Sequence, residues 1–357
     1  WTSRTSGTTK GLRGIAYGST FVTVGESGTI LTSSDGISWE DRTDTNVASK
    51  KLRGITYGSS DDPIFVAVGR TGTILTSSNG YGTSWTKRDS GTRKKLNGIT
   101  YGNSTFVTVG NSGTILTSTD GTSWTEKTSG TTENLNGVTY DNSLFVAEGD
   151  SGTILTSSDG TTWTSLTPVT TKGLRGITYE NSTFVVVGYG GTILTSSNGT
   201  TWTSVSVGTS GNSWTHVTSS PNHNINGVTF GNNILVAVSD HSGASGDPSP
   251  ILTSSDNGTN WNDVTCTWDR CTWHYYKGVT FGNNTFVAVS DEGGIIRSTD
   301  NGSSFDNASP STLCSGGTCY TGLYGVTFGN NTFVAVGWSG TIIRSTDNGT
   351  TWDNVTS

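Results

Sequence analysis

The chain has 357 residues, of which 30% are hydrophobic and 13% charged, with 50 glycines, no methionine and a formal net charge of −7. That charge removes any bulk attraction to nucleic acid or anionic lipid. No apolar run approaches the roughly 18 residues of a membrane span. A core this thin suits a repeated architecture better than one large globule.

The chain does repeat. A glycine-led strand begins at Gly14-Ile15-Ala16-Tyr17 and returns at Gly54, Gly98, Gly137, Gly176, Gly227, Gly278 and Gly325, always followed by Ile or Val, Thr or Ala, then Tyr or Phe. In the third copy it leads to Phe106-Val107-Thr108-Val109-Gly110, then Gly113-Thr114-Ile115-Leu116-Thr117, then Asp120-Gly121-Thr122-Ser123-Trp124. Short β-branched and aromatic runs split by Gly, Asn, Ser and Asp read as strands and turns. No stretch has helical apolar spacing. The reading is an all-β chain with four antiparallel strands per repeat, a β-propeller of eight blades, with seven as the alternative. One domain, 1–357, holds repeats at about 8–47, 48–91, 92–130, 131–169, 170–220, 221–272, 273–320 and 321–357. Residues 1–7 echo an outer strand and are expected at the seam. The missing Met at position 1 suggests a piece of something longer, and no signal peptide is visible within it.

Antiparallel order divides the turns between two faces. Turns between the first and second strands and between the third and fourth share one face. The others share the opposite face, and there the large insertions fall: 208–224, 240–250, 266–276 and 309–322. Insertions gathered on one face of an array mark a binding face; unselected drift is the plain alternative. The same face carries two series of residues. Arg13, Arg53, Asn97, Asn136, Arg175, Asn226, Lys277 and Tyr324 precede or head the first strand and should ring the mouth of a central channel. Glu26, Arg70, Asn111, Asp150, Tyr189, Asp240, Asp291 and Trp338 occupy one turn position whose neighbours barely change. A constant frame with a variable tip builds a distinctive surface, although an exposed turn also tolerates any residue. Eleven of the twenty basic residues lie in this region, which suits an anionic partner. Candidate ligand-binding residues are Arg13, Arg53, Arg175, Lys277, Tyr189, Asp240, Trp268, Trp273, Tyr275, Asp291 and Trp338. The aromatic insertion around Trp268 and Trp273 suits a sugar or a protein partner, or folds down over its own blades.

Cys266/Cys271 and Cys314/Cys319 are expected as two local disulfides, hence an oxidising compartment. Ten Asn-x-Ser/Thr sites agree with it: Asn103, Asn181, Asn198, Asn257, Asn283, Asn301, Asn307, Asn330, Asn348 and Asn354. Such triplets are also what tight turns look like in a Thr-rich chain. No metal or cofactor motif is present. Glu148 replaces a Val that the other copies carry inside the second strand. It should need a basic partner or exposure near the channel.

The turn Ser254-Ser255-Asp256-Asn257-Gly258-Thr259-Asn260-Trp261 resembles the Asp-box (BNR) motif, as do Ser298 to Phe305 and Ser345 to Trp352. The first, third, fourth and fifth copies are a residue shorter, and Asn79 and Asn198 replace the Asp. The whole repeat is similar to the propellers of photosystem II assembly factors, while sialidases and some endoglucanases share the motif. The resemblance implies a propeller whose motif turns are structural staples, with the Trp wedged between blades. A sialidase site would need an arginine triad and a Tyr/Glu pair, which the sequence does not supply. The expected function is therefore a non-enzymatic extracellular or cell-surface module, adhesin-like or part of a surface assembly. It would recognise a glycan or protein through the insertion face of repeats five to eight. Alternatives are an Asp-box glycoside hydrolase drawing carboxylates from Asp240, Asp247, Asp269 and Asp291, and an assembly factor of the photosystem type. No nucleic acid and no membrane span are expected; self-assembly stays open.

Overall fold

The computed structural model describes residues 8–36, 38–43, 50–58, 63–180, 182–204, 207–208, 224–240, 251–264, 275–310, 314–315, 318–319 and 322–354. Eight sheets follow one another, each built on four antiparallel strands in chain order. In blade 3 the inner strand Leu96–Gly102 pairs with Thr105–Gly110, that with Ile115–Ser118, and that with the outer strand Thr125–Lys127. The other inner strands are Leu12–Tyr17, Leu52–Gly58, Leu135–Asp141, Leu174–Glu180, Ile225–Gly231, Tyr276–Gly282 and Leu323–Gly329. The described residues contain no α-helix. Blade 6 carries a fifth strand, Val207–Gly208, added parallel to its outer strand Trp261–Val264. The remaining outer strands begin just after the Trp or Phe rather than on it. Two compact units result. Blades 1 to 4 with Val336–Ile342 and the residues from Asn354 form one, and blades 5 to 7 with the rest of blade 8, up to Ala335 and over Ile343–Asp353, form the other.

The second and third strands of blade 3 are buried along their whole length, and those of the other blades nearly so. Apolar clusters cover them between blades 1 and 2, 2 and 3, 3 and 4, 5 and 6, 6 and 7, and 7 and 8. Val66, Val68 and Ile74 of blade 2 pack with Leu96, Phe106 and Leu116 of blade 3, and Trp124 lies against them. Trp261 joins blades 5 and 6 in the same way, Phe305 joins 6 and 7, and Trp352 joins 7 and 8. The expected inter-blade wedge is therefore present. Each buried Phe adds roughly 1.5–3 kcal/mol.

The turn that delivers the wedge is built from its own polar side chains. In blade 3, Ser118 Oγ donates to Asp120 Oδ1 (2.9 Å), which also accepts the Thr122 and Ser123 amides at 2.8 and 2.9 Å. The Trp124 indole N–H donates to the Gly121 carbonyl (3.0 Å). Asn198 does the work of the Asp in blade 5, accepting from Ser196 Oγ and from the Thr200 and Thr201 amides. These bonds satisfy turn amides that the ladder leaves unpaired. Glycine is required in the turn for two reasons. Gly82 has φ +67, and a Cβ there would come within 2.8 Å of Val22 Cγ2 on the preceding blade.

Candidate functional site

The opposite set of turns carries the candidate site. Between the second and third strands lies a single 3-10 turn, such as Glu26–Gly28, Arg70–Gly72, Asn111–Gly113 or Asp150–Gly152. Its middle residue sits in the left-handed region, φ 53 at Ser112 and 55 at Ser151. Its first residue is the variable tip. Facing it, the inner strand has a bulge. Leu96 pairs with Gly110 but Gly98 with Val109, so Asn97 is the extra residue. The same shift occurs at Arg13, Arg53, Asn136, Arg175, Asn226 and Lys277. A bulge turns its extra side chain away from the regular alternation. Here it turns that side chain toward the tip.

The two series are thus one row of contacts. Arg13 Nη2 donates to Glu26 Oε1 (2.8 Å), and Lys51 Nζ of the next blade reaches the same oxygen (2.5 Å). Asn97 Nδ2 donates to Asn111 Oδ1 (3.1 Å) and to the Leu135 carbonyl of blade 4 (2.8 Å). Asn136 and Asn134 hold the two carboxylate oxygens of Asp150. In the second unit the Arg175 guanidinium lies over the Tyr189 ring, 4.2 Å from its centre. Asn226 Nδ2 donates to Asp240 Oδ1 (2.5 Å). Lys277 bridges Asp240 (2.7 Å) and Asp291 (3.3 Å) beneath the Tyr275 ring. In blades 1, 2, 3 and 5 the tip turn also packs beside the inner strand of the next blade.

Several of the basic residues counted on this face are paired with carboxylates. Bonds from Arg13 and Lys51 hold the Glu26 carboxyl at about 2, far below its ordinary value. Burial works against the charge of Lys277, but Asp240 and Asp291 hold its ammonium above the usual lysine range. Burial pushes Asp291 up despite Lys277. Blade 2 differs, because its bulge residue and tip are Arg53 and Arg70. Burial lowers the Arg53 pKa, and the charges of Arg13 and Arg70 lower it further. Arg53 Nε is buried and has no hydrogen-bond partner among the described residues.

Two tips offer apolar surface: Trp338 is 57% exposed and Tyr189 37%. Trp338 begins the turn Trp338–Gly340, which packs beside the inner strand of blade 1. Tyr81, also 57% exposed, stands on the opposite face, where sequence reasoning assigned nothing. Trp268, Trp273, Cys266 and Cys271 lie outside the described residues, as does most of the insertion arc, Asp247 and Asp269 included. Cys314 and Cys319 sit directly opposite one another in a small hairpin, Cys314–Ser315 against Thr318–Cys319. Glu148 is fully buried with its carboxyl against Gly137, so of the two expectations, a basic partner or exposure near the channel, the second does not hold. A substrate could not touch it.

The Asn-x-Ser/Thr sites fall largely on turns. Asn103, Asn257, Asn283, Asn301, Asn330 and Asn348 have left-handed φ. The oxygens of Asn198, Asn301, Asn307 and Asn348 already accept hydrogen bonds. Asn181 lies outside the described residues, and of Asn354 only the backbone is described. The polar, open depression on blade 3, about 760 Å³, is lined by Glu126, Ser129, Thr131 and Glu133. Its hydroxyls are committed within the loop, with Ser129 Oγ donating to the Thr131 carbonyl.

Residues 35–269 match the family described as the DUF6242 beta propeller domain. The chain belongs to that family. Its eight blades are those of a DUF6242 β-propeller. No curated protein matches the sequence. Among solved structures it is similar to the computationally designed Ika8 protein, at 12% identity and TM-score 0.68 over 94% of this chain and 95% of that one. YCF48 from Cyanidioschyzon merolae is similar at 15% identity and TM-score 0.57, over 95% and 96% of the two chains. A structure of YCF48 bound to D1 peptide is similar at 17% identity and TM-score 0.55, over 79% and 87%. At such identities the likeness speaks for the fold alone. No described helix is long and apolar enough to cross a membrane.

The pairing of the two series was the finding missed from sequence. The signal was there in the spacing: bulge and tip residues stand 14 apart in blades 3, 4 and 6. A hairpin register drawn through each repeat would have matched them.

Proposed function

We propose that this DUF6242 propeller is a non-enzymatic binding module whose bulge-and-tip row recognises a protein partner. The observation that carries this reading is the row itself: one backbone frame, repeated, presents side-chain pairs that vary from blade to blade, from Arg13/Glu26 to Arg53/Arg70, Asn97/Asn111 and Arg175/Tyr189. A rigid frame lowers the ordering cost of binding, and exposed Trp338 and Tyr189 supply aromatic anchors of the kind that dominate interfaces. The peptide bound by the structurally similar YCF48 adds support for a protein ligand over a glycan. Against a glycoside hydrolase, Asp240 and Asp291 share one lysine, which commits both carboxylates to an ion-pair network. The motif turns act as Asp-box staples in this reading, and the opposed cysteines suit a chain working outside the cytosol, at a cell surface.

The test is selection of peptides from a displayed random library against the whole chain. Selected peptides should lose binding to a Trp338→Asn, Tyr189→Asn variant. They should keep binding when Thr122 on the opposite face becomes Ala. Peptides that ignore the tip substitutions, or that depend on Thr122, would sink the proposal.

A further inference from the structure

In blades 1, 3, 4, 6 and 7 tip and bulge residues answer each other by charge or hydrogen bonding, and in blade 5 by a cation–π contact. Glu26 accepts from Arg13 and Lys51, and Asn111 accepts from Asn97. At blade 2 the tip is Arg70, and its neighbours in the row are Arg53 on one side and the inner strand of blade 3, headed by Asn97, on the other. No described carboxylate pairs with Arg53 or Arg70. The charges of Arg13 and Arg70 act on Arg53, and the Glu26 carboxylate of the preceding blade is already shared by Arg13 and Lys51. The bulge and tip positions of this blade thus both hold an arginine, and the Arg53 Nε–H is buried with no acceptor among the described residues. Holding like charges together costs stability, and a buried donor without an acceptor costs a further desolvation penalty.

We infer that Arg53 and Arg70 form a seat for a carboxylate of the partner, either a chain terminus or an acidic side chain. The inference rests on the proposed binding role of the row and names what blade 2 takes. The molecule itself supplies the argument for a carboxylate over other anions. One blade earlier, Glu26 fills the tip position and is gripped by cations on both sides. A ligand carboxylate at blade 2 would complete the row in the same chemistry, with charge-assisted bonds roughly twice as strong as neutral ones.

Calorimetric titration of the whole chain with glutarate, at constant ionic strength, tests this without knowing the partner. Sulfate serves as the second arm. Two variants borrow residues that this position carries in other blades, so the frame is known to hold them: Arg70→Asn, as at Asn111, and Arg70→Glu, as at Glu26. Glutarate should bind at one site, and more tightly than sulfate. Arg70→Asn should weaken it about tenfold, the loss of one charge-assisted contact. Arg70→Glu should abolish binding and raise the melting temperature, because the chain then supplies its own carboxylate. Absence of saturable glutarate binding, equal affinity in Arg70→Asn, tighter sulfate binding, or a lower melting temperature for Arg70→Glu would each overturn the seat. Peptides that bind the tips while glutarate does not would retain the broader reading and remove only this one.

Discussion

Gly82 and Gly91 lie in the same blade and have nearly the same backbone, φ +67 and +68. Replacing either with Ala forces a side chain into the left-handed region, at about 1 kcal/mol. Around Gly91 there is nothing within 4 Å for the new methyl to meet. At Gly82 the methyl would stand 2.8 Å from Val22 Cγ2 and 3.0 Å from Thr32 Cγ2, both on blade 1. Overpacking of that kind adds roughly 1–3 kcal/mol. Gly82→Ala should therefore cost about 2–4 kcal/mol and Gly91→Ala about 1. The difference reads the blade contact alone, since the conformational cost cancels. In a chain of this size 1 kcal/mol corresponds to roughly 2 °C, so thermal unfolding followed by near-ultraviolet circular dichroism resolves it. Equal losses at the two glycines would refute the claim that these turns seal one blade against the next.

Acid should expose the row's electrostatics. Glu26 is held at about 2 when folded against an ordinary 4.5, so its stabilisation is present above pH 4.5 and disappears as the pH falls toward 2. Wild type and Glu26→Gln should differ at pH 7 by about 1 kcal/mol, a value discounted for the partial exposure of the pair, and converge near pH 2. Trp261 is 1% exposed between blades 5 and 6, so Trp261→Ala should cost about 3–5 kcal/mol by chemical denaturation. Directly opposed strand residues lie roughly 4.5–5.5 Å apart at Cα, within disulfide reach. Mass spectrometry of the non-reduced protein should find Cys314 linked to Cys319, and two free thiols there would remove the argument for an oxidising compartment.

The fold was legible because the chain states it eight times. Each copy repeats the same turn glycine, and seven of the eight repeat the same buried Phe-Val strand, with Leu235-Val236 in the other, and the same closing Trp, with Phe305 in the other. Even so, alternation along a strand could not reveal the bulge at Asn97 or Arg13. A bulge is an extra residue in a ladder, visible only once the partner strand is placed. Without it the two variable series looked like separate features, and the basic residues looked uncompensated. Glu148 was legible as an anomaly, but its complete burial depends on packing that no local pattern specifies. Counting Lys and Arg also could not separate Lys277, clasped by two carboxylates, from Arg53, which has none among the described residues.

The central claim is that bulge and tip residues act as pairs. A double-mutant cycle on Arg13→Gln and Glu26→Gln measures that coupling without any ligand. The account predicts an interaction of about 1 kcal/mol at low salt, shrinking as salt screens it. Additive losses, within roughly 0.3 kcal/mol at every salt concentration, would contradict it.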